Sequence, residues 1–159
     1  MSAMAKRKPQ IATIGYQGAK LADFLATLEA AKVDLLIDVR EIAFSHRREF
    51  MKHALAAALE GAGIEYRHMK ALGTPKPGRD AAKAGDRAGF RKHLLKQLGS
   101  PEGKAALAEA AELVRHQRIC LLCMEHDPKL CHRSEVARRL AKTTGAAIAH
   151  LDPVAPQRS

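Results

Sequence analysis

Short apolar runs alternate along the chain with longer stretches in which apolar residues recur every three or four positions. Residues 11–16 (IATIGY) form the first run, read as a buried strand that Gly15 and Gly18 end. Over 19–32, Leu21, Phe24, Leu25 and Leu28 stand at offsets of three, four and seven, the spacing of one helix face. Residues 33–40 (VDLLIDVR) are apolar almost throughout, which suits a strand covered on both faces, as in a parallel sheet. Residues 49–60 predict a helix with Phe50, Leu55 and Leu59 inward, stopped by Gly61 and Gly63. A third strand follows over 64–69. Residues 70–85 mix Gly, Pro and charge and are expected to form a loop, long enough to suggest a functional one. Asp86 is placed to cap a helix that runs to Leu98 and closes at Gly99. Ser100-Pro101-Glu102 opens another: a capping hydroxyl, Pro in the first turn, then an acid at the positive end of the helix dipole. Residues 118–124 (RICLLCM) give a fourth strand, 131–143 a helix ended by Gly145, and 147–151 a fifth strand.

Strands and helices alternate throughout, so the expected fold is α/β, a Rossmann-like three-layer sandwich around a mainly parallel five-stranded sheet. The expected organisation is one domain over 10–152, with a disordered basic tail over 1–9 and a loose tail over 153–159. A length of 159 residues suits one domain with a sizeable core, and 47% hydrophobic content argues against disorder. Aromatics are only 4% with no Trp, so the core must be built from Ala, Leu, Ile and Val. No run approaches the roughly 18 apolar residues of a membrane span, and no signal-like segment follows the basic start, so the expected location is cytoplasmic. The three cysteines, Cys120, Cys123 and Cys131, are odd in number and clustered, which favours reduced thiols over a disulfide framework. The net charge of +10 attracts anions, nucleotides and nucleic acids, and equally describes a merely solubilising surface.

In open parallel sheets ligands bind beyond the carboxyl ends of the strands, where the strand order switches. The residues after the strands are rich in reactive side chains. The first strand delivers Tyr16; the second Asp38 and Arg40, then Ser45, His46, Arg47 and Arg48. The third delivers His68 and Lys70, the fifth His150 and Asp152. The fourth delivers the densest group: Cys123, Glu125, Cys131, His132 and Arg133. A thiol near a helix start, beside Arg and His, is biased toward thiolate. The same amides and Arg133 suit an anion, and Glu125 suits general acid or base work. Each of these residues also has a plainer reading: buried thiols, a strand-end ion pair for Asp38 and Arg40, a solvated face for 45–48. Metal binding is a rival chemistry. Cys120 and Cys123, three apart on a strand, point to opposite faces and should not chelate together. Cys123, Cys131, His132 and His126 offer ligands at a spacing that matches no standard zinc pattern, so neither a metal nor any other cofactor is assigned.

Several stretches together resemble a known family: TIGY at 13–16, LLIDVRE at 35–41, Ser45 to Phe50, GIEYRHM at 63–69, LGTP at 72–75 and LLCMEHDPKLCHR at 121–133. The chain resembles, from 13 to about 151, the bacterial and archaeal proteins grouped as domain of unknown function 488. The resemblance implies a compact Rossmann-like α/β fold and no established reaction. By matched position it points to Asp38, Arg40, Ser45, Arg47, Cys123, Glu125, Cys131, His132 and Arg133. The chain departs from the family pattern at Ala43 (often Pro), His46 (often Arg or Lys) and Glu49 (often Gly), which weakens the 43–49 loop as an anion grip. LLIDVRE also looks like a rhodanese strand. A rhodanese, however, cradles its Cys in a short loop closed by Arg, whereas nine residues separate Cys123 from Arg133 here.

The leading functional expectation is a hydrolase or transferase acting on an anionic, nucleotide-like or phosphorylated substrate. Cys123 or Cys131 would be nucleophile and Glu125 acid or base. Tyr16, Asp38, Arg40, Ser45, Arg47 and Arg133 would bind substrate, with His132 in the catalytic set. A variant gives the chemistry to Asp38 and Glu125 and leaves both thiols structural. The alternatives are a non-catalytic nucleic-acid-binding module, which lacks a recognised reader motif and stacking aromatics, and a zinc-stabilised protein.

Overall fold

The structure, a computed structural model, describes residues 9–154. Five strands form one all-parallel sheet: β1 (Gln10–Gly15), β2 (Leu35–Asp38), β3 (Glu65–His68), β4 (Ile119–Cys123) and β5 (Ala147–His150), in the order β3-β2-β4-β1-β5. Between them run the helices α1 (Leu21–Ala30), α2 (Lys52–Gly61), α3 (Lys76–Lys83), α4 (Arg87–Leu98), α5 (Pro101–His116) and α6 (Arg133–Thr144). The expected α/β fold with a five-stranded parallel sheet is what forms.

The central strands β2 and β4 are buried at every position, which is why they read as unbroken apolar runs. Their side chains divide by alternation between two cores. Leu36, Cys120 and Leu122 join Phe24 and Leu28 of α1 and Leu55 and Leu59 of α2 on one face. Leu35, Ile37, Ile119, Leu121 and Cys123 join residues of α4, α5 and α6 on the other. Cys120 and Cys123 therefore face opposite layers, as their spacing requires.

Helix ends follow local chemistry. The Asp86 carboxylate accepts the Gly89 N–H at 2.9 Å, and Ser100 Oγ accepts that of Gly103 at 3.0 Å. Gly145 ends α6 with φ of 78°, a left-handed conformation that costs glycine little.

Three expectations are corrected. Residues 70–85 are not a loop: a 3-10 turn (Lys70–Leu72) leads into α3. That helix has almost no apolar face to betray it, since Gly78 is its sole buried residue. It docks through close approach instead, because a Cβ on Gly78 would stand 2.6 Å from Thr74 Cγ2 and 3.0 Å from His93 Cβ. The helix expected over 49–60 is split, with a 3-10 turn (Arg48–Phe50) and α2 meeting at the extended residue Met51. The helix expected from 131 starts at Arg133, after a 3-10 turn at Pro128–Leu130 and an extended Cys131. The expected tails lie outside the described residues at 1–8 and 155–159. Of their inner ends, the Pro9 carbonyl accepts the Ala147 N–H and Pro153 is buried. No helix among the described residues is long and apolar enough to cross a membrane.

In open parallel sheets ligands bind where the strand order switches. From β2 the chain moves outward to β3; from the adjacent β4 it moves the opposite way, to β5. The switch point is the carboxyl edge of β2 and β4.

Gly15 ends β1 in register with Cys123. A Cβ there would run into the Glu125 carbonyl and stand 2.9 Å from Arg133 Nη1. Gly15→Ala is therefore expected to destabilise by about 1–3 kcal/mol. Gly61→Ala, with open space around its position, is expected to cost nothing. Urea denaturation of both variants checks the contrast.

Candidate functional site

At the end of β2, Asp38 is fully buried and Arg40 is 6% exposed. They form a two-pronged ion pair, Nε to Oδ1 at 2.8 Å and Nη2 to Oδ2 at 2.6 Å. Arg40 Nη1 donates to the Phe50 carbonyl at 2.8 Å, and its guanidinium lies 5.4 Å from the centre of the Tyr16 ring. The carboxylate also accepts the Tyr66 hydroxyl at 2.6 Å. Desolvation and the negative Asp38 raise the Tyr66 pKa above its ordinary value, and although burial disfavours the Arg40 charge, Asp38 more than compensates. Arg40 thus spends its donors inside the fold. Tyr66 was not singled out in the sequence; its one signal is its place in GIEYRHM, on the strand that pairs Tyr66 with Leu36.

Ser45 and Arg47 lie further out. Ser45 Oγ accepts the Arg47 N–H at 3.0 Å, and Arg47 reaches the Tyr16 carbonyl at 3.4 Å and Glu49 at 2.9 Å. Its guanidinium sits over the Phe50 ring at 4.7 Å, and Phe50 stacks on Tyr16 with centroids 4.5 Å apart. Tyr16, 3% exposed, offers little surface to a substrate. Ile42 and Phe44 stand exposed on the same segment.

The β4 group is brought together tightly. The expectation of reduced thiols is corrected for two of the three cysteines: Cys123 and Cys131 are joined Sγ to Sγ as a disulfide, with Cα atoms 7.1 Å apart, while Cys120 stays free and buried. Cys123 Sγ is 3.7 Å from Glu125 Oε1, and one ligand atom from each of Cys123, Glu125 and Cys131 falls within 4.8 Å of the others. Burial raises the Glu125 carboxyl pKa, so it keeps its proton longer than a surface glutamate. Arg133, 0% exposed, underlies the group. Its Nη1 donates to Cys123 Sγ at 3.3 Å and to the Glu125 carbonyl at 2.6 Å, and Nη2 to the His126 carbonyl at 3.2 Å. Its backbone N–H points at Cys131 Sγ at 3.5 Å.

His132 turns away from the sulfurs and meets the Val39 carbonyl at 2.7 Å, a bond that ties the start of α6 to the end of β2. Burial pushes its pKa down to about 4, so it is neutral near pH 7. The outlying histidines also have partners: His68 with the Arg40 carbonyl at 2.6 Å, His150 with Thr13 at 2.6 Å, and His126 with Asp152 at 2.8 Å. The candidates therefore gather as two adjoining clusters, one around Asp38 and one around the paired sulfurs, bridged by His132.

Fold and cluster together define a class: a parallel α/β protein with a disulfide, a carboxylate and a buried guanidinium gathered at its switch point. The sequence profile of the domain of unknown function DUF488 matches residues 20–140, and the chain belongs to that family. No curated protein and no solved structure matches the chain.

Asp38→Asn is expected to cost about 3–5 kcal/mol, because it leaves the buried Arg40 charge uncompensated. Tyr66→Phe, which removes one hydrogen bond to that carboxylate, should cost about 2 kcal/mol; chemical denaturation ranks the two. A tyrosine pKa raised on folding adds no pH dependence below the unfolded value near 10 and weakens stability as pH climbs beyond it. Unfolding free energy should therefore fall above about pH 10, and less steeply in Tyr66→Phe.

Proposed function

We propose that this protein is an enzyme, of the hydrolase or transferase type, that acts on an anionic substrate of phosphorylated or nucleotide-like character, with Cys123, Glu125 and Cys131 as its reacting centre. The observation that carries this reading is the convergence of two sulfurs and a carboxylate within 4.8 Å at the carboxyl edge of β4. That edge is where a parallel sheet of this order opens its ligand crevice. Holding such groups together in a partly dehydrated setting is costly for stability and useful for chemistry.

The anionic part of the substrate is met by the segment beyond β2. Arg40 and Arg133 are committed to internal partners, so recognition falls to Arg47, whose side chain is 36% exposed, and to its neighbours His46 and Arg48. The net charge of +10 draws anions toward the molecule from a distance. Exposed Ile42 and Phe44 add apolar surface beside that charge for a base or other flat group.

Thermal-shift measurements against inorganic phosphate and a panel of nucleoside mono- and diphosphates test the proposal. At least one should raise the melting temperature, and Arg47→Ala should reduce the shift while Arg118→Ala, before the start of β4 at the opposite sheet edge, leaves it intact. A panel without any stabilising anion defeats the reading.

A further inference from the structure

We infer that, once a thiol reductant has opened the Cys123–Cys131 disulfide, these two cysteines and Glu125 are the protein's ligands for a zinc-class divalent cation, held with one coordination position open. The inference rests on the reading of this cluster as the reacting centre and assigns its chemistry: the sulfurs act as metal ligands rather than as free nucleophiles.

Charge is the first argument. Arg133 is 0% exposed, and its guanidinium donates to two carbonyls and one sulfur, with no salt bridge to a carboxylate among the described residues. Its Nε is buried without a hydrogen-bond partner among the described residues. A buried guanidinium needs a counter-charge. The sulfur it touches, at 3.3 Å, is that of Cys123, which becomes a thiol when the disulfide is opened. The Cys131 sulfur beside it receives the Arg133 backbone N–H at 3.5 Å. In the reduced, metal-bound form two thiolates and the Glu125 carboxylate would carry three negative charges. Arg133 offsets one, and a divalent cation offsets the remaining two.

Geometry is the second. Donors held about 2.0–2.3 Å from a tetrahedral ion stand roughly 3.3–3.8 Å from each other. The Cys123 Sγ to Glu125 Oε1 distance is 3.7 Å. The Cα atoms of Cys123 and Cys131 are 7.1 Å apart, wider than the roughly 4.4–6.8 Å usual across a disulfide. Once the disulfide is opened, that backbone spacing leaves room for the two sulfurs to part and face one ion. N–H groups donating to both sulfurs are the outer support that metal thiolates commonly have.

Donor identity is the third. Two soft sulfurs with one carboxylate oxygen select a borderline-soft cation over magnesium or calcium. Three protein ligands leave a fourth position for water or a substrate oxygen, the pattern of reactive zinc sites. The histidines named from sequence do not supply the fourth ligand, since His132 Nε2 is engaged by Val39 and His126 Nε2 by Asp152.

The test is metal content and spectroscopy on the full-length reduced protein. Elemental analysis should find about one zinc per chain. After chelation, added cobalt(II) should give an intense thiolate-to-cobalt charge-transfer band with tetrahedral visible absorption. Cys123→Ser and Cys131→Ser should each lose most of the band, Glu125→Gln should weaken and shift it, and Cys120→Ser should leave it unchanged. Folding of every variant is checked by circular dichroism. Where a variant fails to fold, alkylation of the wild-type thiols before cobalt addition takes its place and should abolish the band. Reduced wild-type protein that takes up neither zinc nor cobalt overturns the inference, as does a band that depends on Cys120. Anion-dependent thermal shifts that persist in a protein without metal uptake would leave the enzyme reading standing and remove this one alone.

Discussion

Arg133 enters the interior from the first turn of α6 and is sealed there with no carboxylate in salt-bridge contact with its guanidinium among the described residues. Placing a cation in a low-dielectric setting is costly unless its surroundings answer the charge and fill its donors. Much of the local structure does so. The chain after β4 bends so that the Glu125 and His126 carbonyls turn onto the guanidinium, and Cys123 closes the remaining side. β1 can pass only because residue 15 is a glycine, since a Cβ would press on the Glu125 carbonyl and on Arg133 itself. The sulfur–carboxylate cluster thus rests on one buried charge.

The second cluster has a different logic. Asp38 and Arg40 answer each other directly, and Tyr66 and the Phe50 carbonyl take up the remaining hydrogen-bonding capacity. This closed set anchors the segment after β2 and leaves Arg47 at its rim. His132, neutral through burial, links the two clusters by its bond to the Val39 carbonyl. A displacement of α6 would therefore be felt at the end of β2, and a change in the Asp38 pair at the base of the sulfur cluster.

The stretches on which the resemblance to the DUF488 family rests have distinct physical roles in this fold. The Asp-Val-Arg of 38–40 supplies the closed ion pair. The Cys-His-Arg of 131–133 supplies a sulfur, a bridging imidazole and the buried cation in three successive residues at the start of a helix. Each residue in that run points to a different partner, because the chain there passes from an extended Cys131 into helical geometry.

The sequence by itself determined the strands, most of the helices and the edge on which the reactive residues gather, because hydrophobic period, caps and the rule for parallel strand ends are all local or topological. It also separated Cys120 from Cys123, since alternation along a strand admits no other arrangement. The helix α3 escaped it because that helix docks by glycine contact rather than through an apolar face. Only the tertiary structure decided that Arg40 and Arg133 face inward, that Tyr66 completes the Asp38 pair, and that Cys123, Glu125 and Cys131 meet in one place. Those outcomes depend on side-chain direction and on burial from several elements at once, and neither is encoded in the spacing of residues along the chain.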